Sequence, residues 1–244
     1  VGSTPDVGGN WSVQSGGTTG PITVSQGAIT VRGATGMDVN SAFTSAVTSG
    51  SVYAGMDLNY PTPSNPTSGT GAEYFTHFMP GPGSTYVCRV FPTGHTGTTH
   101  KLAISAGGAE VTPATAETLA YGTTYRLVYS YIIATKKCSL WVNPTSEAST
   151  SILSSGVAAS TSIDRIAFRQ ATATPSWTLS IRNLIVATTF CEAARTTCPP
   201  PSPPPPPIPS PPPPTLSTIY SIQYTASPNC DLPTQAQPLL GQIV

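Results

Sequence analysis

This sequence predicts an all-β fold: an antiparallel jelly-roll β-sandwich followed by a polyproline II rod and a short strand-forming tail. Three observations carry that reading. Short β-prone runs recur between clusters of Gly, Pro, Asn and Ser, helix periodicity is nearly absent, and one stretch near the C-terminus is almost pure proline. The composition divides the chain into a sandwich over residues 1–198, a linker over 199–214 and a tail over 215–244.

Taken in order, strands are expected at Ile22–Val24, Ala28–Val31, Ser51–Asn59, Glu73–Met79, Thr85–Phe91, His100–Ser105, Thr124–Ile133, Cys138–Asn143, Ile163–Arg169 and Thr178–Ala187. Most are rich in β-branched or aromatic residues, which suit a pleated, half-buried surface. In Tyr125–Tyr131, residues Tyr125, Leu127, Tyr129 and Tyr131 alternate with Arg126, Val128 and Ser130, although Val128 blurs which face is buried. Asn40–Ser49 is a modest helix candidate and is set aside. Many short strands with turns between them indicate a sandwich or jelly roll.

Proline fixes φ and lacks an N–H, so residues 199–214 are expected to adopt polyproline II, a semi-rigid rod spanning roughly 50 Å. The tail contains one convincing strand, Ser217–Thr225, and is too short to bury a core of its own. It either opens a truncated next domain or completes a sheet in another subunit.

Only 8% of residues are charged and the net charge is zero. That is about a third of the usual ~25%, so solubility must come from hydroxyls, turns or attached sugars. Such a chain has no field for attracting nucleic acid or anionic lipid, and no apolar run reaches membrane-spanning length. It opens on Val1 without a signal peptide, as a mature or excised segment would.

The five cysteines lie far apart, without CxxC spacing, and the three histidines complete no zinc pattern. Disulfides in a secreted, extracellular-surface chain fit better. The preferred pairs are Cys88 with Cys138 and Cys191 with Cys198. Spacing alone leaves the connectivity open, and Cys230 is free or paired outside this segment. Asn10-Trp11-Ser12 is an N-glycosylation sequon, whereas proline at the middle position excludes Asn65 and Asn143.

The segments YRLVYSYIIATKKCSLWVNP (Tyr125–Pro144), SIDRIAFRQ (Ser162–Gln170) and LSIRNLIVATTF (Leu179–Phe190) resemble the second half of laminin-G-like or concanavalin-A-like jelly-roll domains of secreted surface proteins. GGNW (Gly8–Trp11), GAITVRG (Gly27–Gly33), YFTHF (Tyr74–Phe78) and CRVF (Cys88–Phe91) fit the same pattern in order. The resemblance implies a fold more than a function. Arg182 stands where that pattern often carries an acid, so no role for the acid carries over. The proline run is similar to hydroxyproline-rich glycoproteins of algal and plant walls and flagellar coats. That likeness implies hydroxylated, arabinosylated Pro199, Pro200, Pro201, Pro203, Pro204, Pro205, Pro206, Pro207, Pro209, Pro211, Pro212, Pro213 and Pro214. The tail resembles the opening strand of OB-like modules attached to some secreted nucleases, without a catalytic residue.

Chemistry is sparse. No acids stand two or four positions apart, as the paired carboxylates of jelly-roll glycosidases would. Glu73 and His77 could share a strand face, in a cleft or as a simple hydrogen-bonded pair. Asp57, two residues from Asn59, is a weak calcium candidate against an ordinary strand-end turn. Trp141 reads as core, and Trp177 is the better candidate sugar platform. No catalytic residue and no cofactor beyond covalent glycans is expected. The leading expectation is a non-enzymatic structural subunit of an extracellular glycoprotein fibril, wall or flagellar appendage. It would assemble with copies of itself by tail-strand addition. The rivals are a non-catalytic carbohydrate-binding module, using Trp177, Tyr121 or Tyr125, and a fragment of a secreted nuclease.

Overall fold

The computed structural model describes residues 11–16, 20–32, 36–61, 74–107, 115, 117–170 and 177–200. The Asn10 sequon, Glu73, Pro201 and the prolines after it, the tail strand Ser217–Thr225 and Cys230 lie outside the described residues.

Strands run through the described chain as β1 (Trp11–Ser15), β2 (Thr23–Ser25), β3 (Ala28–Arg32), β4 (Asp38–Val47), β5 (Ser51–Asn59), β6 (Thr76–Met79) and β7 (Val87–Thr93). They continue as β8 (Thr99–Ser105), β9 (Leu119–Ala120), β10 (Thr124–Ile132), β11 (Lys137–Val142), β12 (Ile152–Leu153), β13 (Ile163–Phe168) and β14 (Thr178–Ala187). One short helix, α1 (Phe190–Ala194), follows. The strands form two seven-stranded sheets, ordered β1-β4-β13-β6-β7-β8-β9 and β12-β11-β10-β5-β14-β3-β2. Strands distant in sequence are neighbours, with β4 beside β13 and β5 between β10 and β14, all antiparallel. This is a jelly-roll β-sandwich.

Local chemistry explains individual turns. Gln26 and Gly27 join β2 to β3 with φ of 50° and 73°. Two positive φ values in a two-residue loop suit the right-handed twist of the flanking strands. The Asn40–Ser49 stretch is strand, not helix: β4 pairs with β1 on one side and β13 on the other. Two ladders outweigh the weak helix preference of its small residues.

Alternate residues of each sheet meet in one core. The first sheet contributes Val39, Phe78, Val90, Leu102, Ile104, Ile166 and Phe168; the second contributes Met56, Leu58, Leu127, Tyr129, Leu140 and Ile181. Trp177 belongs to this core and is 3% exposed. Val128 is buried on the opposite face, with Tyr53, Trp141, Phe190, Ala193 and Ala194, because α1 covers the outside of the second sheet. That layer resolves the ambiguous alternation of β10: both its faces are dry.

Cys88 on β7 and Cys138 on β11 form a disulfide across the sandwich, joining the two sheets over a sequence separation of 50. Closing a loop of that length stabilises a fold by about 4 kcal/mol in the chain-entropy view. Replacing both cysteines by alanine should lower the unfolding free energy by about 2–4 kcal/mol in urea titrations. A negligible change would show that the core holds the sheets together without the covalent link.

Candidate functional site

The outer face of the first sheet carries an aromatic and cationic cluster. In β6, Thr76 and Phe78 point inward, where Thr76 Oγ1 lies 3.0 Å from Tyr129 Oη and donates to the Ala167 carbonyl at 3.0 Å. Strand alternation therefore turns His77 outward. It meets the rings of Tyr74 and Tyr86 edge-on, at 5.3 and 4.8 Å. Tyr74 also packs against Phe91, with centroids 5.7 Å apart. Arg89 from β7 and Arg169 just beyond β13 stand over the Tyr74 ring at 5.2 and 4.3 Å, within cation–π range.

His77 is 1% exposed, and neither ring nitrogen has a hydrogen-bond partner. Burial, reinforced by the charges of Arg169 and Arg89, lowers its pKa to about 3, so the imidazole is neutral. Burial also raises the Tyr74 hydroxyl to about 12; the two arginines pull it down, while Tyr86 and Asp38 push it up. Nε and Nη2 of Arg89 are buried without partners as well. A cavity of about 550 Å³ runs beside this cluster, lined by Ser84, Thr85, Tyr86, Arg89, Gly107 and Val157 among others.

A second polar cluster joins Tyr60, His95, His100 and Tyr121. His95 Nδ1 and Tyr121 Oη are 2.7 Å apart, and the Tyr60 ring packs on all three neighbours. Burial, with the charge of His95, lowers His100 to about 4.

The remaining expected site residues fall elsewhere. Trp177 is a core side chain, so its ring face is not presented to a sugar; that expectation is corrected by inter-sheet packing. Tyr121 is committed to the histidine cluster, and the Tyr125 hydroxyl accepts from the Ala120 amide at 2.9 Å. Asp57 accepts from Arg126 at 2.9 Å and from Asn183 at 2.6 Å. Burial alone would raise the Asp57 pKa, but the Asn183 and Arg126 hydrogen bonds and the arginine charges lower it. The described residues contain no group of three His, Cys, Asp or Glu side chains that could hold a metal ion. They also contain no helix long and apolar enough to cross a membrane. Sequence spacing singled out His77 but not its neighbours, which arrive from three different strands and loops.

The C-terminal end of the sandwich is tied down at several points. Helix α1 lies on the second sheet where β5 has Gly55; a Cβ there would sit 1.8 Å from the Ala193 carbonyl oxygen. Arg126 donates to that same carbonyl, to Asp57 and, at 3.0 Å, to the Asn183 carbonyl. Cys191 in α1 is disulfide-bonded to Cys198, the residue before the proline run.

No family model matches this sequence, and no curated protein matches it. Solved structures do share its fold. A sialidase aligns over 75% of this chain at 15% identity with a TM-score of 0.51, and the chain spans 17% of that protein's length. A family 7 alginate lyase, A1-II′, aligns over 67% of this chain and 79% of its own at 10% identity, TM-score 0.45. A SAP-like pentraxin from Limulus polyphemus aligns over 58% of this chain and 64% of its own at 8% identity, TM-score 0.38. The sialidase likeness shows the β-sandwich fold alone.

His77 and His100 fold in neutral form, whereas the unfolded chain protonates them near pH 6.5. Below that pH the unfolded state binds more protons, so their contribution is complete above pH 6.5 and declines as pH falls toward about 4. Each buried histidine should make stability fall by about 1.4 kcal/mol per pH unit in this window. Urea midpoints of a His77→Phe variant should therefore vary less steeply from pH 6.5 downward; an unchanged slope would mean that His77 protonates in the folded state.

Proposed function

We propose that this chain is a non-enzymatic structural subunit of a secreted extracellular glycoprotein fibre, wall or flagellar appendage. In this reading the sandwich of residues 1–198 is carried on a stiff, hydroxylated and glycosylated proline rod, residues 199–214, and the tail from Thr215 adds a strand to the next copy. Head-to-tail addition is heterologous and propagates into a filament.

The join between sandwich and proline run is the observation that supports this reading. A pull entering at Pro199 reaches Cys198 and passes through the disulfide to Cys191, bypassing residues 192–197. It then meets a helix seated on a central strand by Phe190 and Ala193 and held at its C-terminal carbonyl by Arg126. Such reinforcement suits a load-bearing attachment. A second reading, a carbohydrate-binding module of a larger secreted protein, is favoured by the open hydrogen-bonding groups at His77 and Arg89.

Electron microscopy of the full secreted chain should show filaments, and solitary monodisperse particles would overturn the structural reading. Peptide mass spectrometry across residues 191–230 should find hydroxyproline carrying pentoses; unmodified prolines would remove the glycoprotein rod. A Gly55→Ala variant should displace α1, exposing Trp141 to water with a red-shifted fluorescence emission and a lower melting temperature. Unchanged emission and melting would show that the helix is not anchored at Gly55.

A further inference from the structure

We infer that Arg89 and Tyr86, backed by the buried Tyr74 and His77, form a binding site for a carboxylate-bearing sugar, a uronate unit of an acidic polysaccharide, on the outer face of the first sheet. This inference rests on the carbohydrate-binding reading and names the ligand class.

The unpartnered atoms of the Arg89 guanidinium are Nε and Nη2, which lie on the same edge of the planar group. Two parallel N–H donors along one edge match the two oxygens of a carboxylate bidentately. Leaving such donors buried and unmade costs on the order of 1–3 kcal/mol each, or more on a charged group. This cost is borne in a chain with only 8% charged residues. The ring of Tyr74, 5.2 Å from the Arg89 Cζ, holds the guanidinium without using any of its N–H groups.

The surroundings suit a sugar better than a simple anion. Tyr86 and Arg89 line the same cavity of about 550 Å³, within the usual size of small-ligand sites, and Ser84 and Thr85 add hydroxyls to its wall. The aromatic edge offers apolar contact to the C–H face of a pyranose, and hydroxyls match its oxygens. Neutral His77 behind the tyrosines retains one donor and one acceptor nitrogen, both without a partner. Asp38, the described acid whose charge acts on Tyr74, is occupied: it accepts from Ser15 Oγ at 2.6 Å and from the Gln170 backbone amide at 2.7 Å.

Calorimetric titration of the full chain with oligogalacturonate, its methyl ester, a sulfated oligosaccharide and a neutral β-glucan oligosaccharide tests the inference. Oligogalacturonate should bind, and esterification, which keeps the ring but removes the charge, should weaken binding at least about tenfold. Arg89→Gln should do the same, and Arg89→Lys should not restore it, because a lysine ammonium cannot present a planar fork. Should Arg89→Gln fail to fold, Tyr86→Ala removes a half-buried ring at the same cavity and should also weaken uronate binding. Equal affinity for acid and ester, preference for the sulfated probe, or a neutral glycan bound while uronate is ignored would overturn the uronate assignment but leave the binding-module reading standing. Failure to bind any of a broad glycan array would remove both.

Discussion

The dry layer between the two sheets is the constraint on which the rest of the molecule depends. Inward side chains such as Phe78, Ile104 and Phe168 from one sheet and Met56, Leu127 and Ile181 from the other remove apolar surface from water. The polar atoms admitted to that layer are mostly answered: Tyr129 Oη meets Thr76 Oγ1, and Tyr131 Oη donates to the Ser160 carbonyl at 2.5 Å. Cys88–Cys138 links the sheets covalently in the same layer. With the layer in place, the outward residues of every strand are held at known positions, which lets the two outer faces diverge.

Those faces treat charge in opposite ways. On the second sheet, Arg126 spends both terminal nitrogens on Asp57, Asn183 and Ala193, and the helix that results seals Val128 and Trp141 from water. Charge there is structural, closing one network against α1. On the first sheet, Arg89 and His77 sit among aromatic rings with donors and acceptors open. Unsatisfied buried polar groups are costly and uncommon; His77 and Arg89 leave four such atoms open beside a cavity, while Arg126 Nε and Trp141 Nε1 on the second face are also without partners. One face is thus covered by a helix, and the other carries open hydrogen-bonding groups beside a cavity.

Much of the strand pattern was legible in the residues. Ser51–Asn59 and Thr178–Ala187 occupy the expected spans, since β-branched and aromatic runs bounded by turn formers carry a local signal. Thr85–Phe91 and Ile163–Arg169 shift only at their ends, to Val87–Thr93 and Ile163–Phe168. Asp38–Val47 was not legible, because Asn, Ser, Ala and Thr have weak preferences and become strand only through pairing with β1 and β13. Trp177 read as an exposed platform from its turn-rich neighbours, yet a large apolar ring beside a sandwich is drawn into the core. The site was legible only as a lone His77.

Sequence by itself determined that this chain would form short strands with dry inward faces, bounded by turns, before a proline run that cannot continue a sheet; alternation, turn chemistry and fixed proline φ are all local properties. Tertiary structure alone decided which strands became neighbours, that α1 would roof one sheet, and that His77 would meet Tyr86, Arg89 and Arg169. Those contacts join residues whose distance along the chain follows no period, so they exist only once the sheets have paired.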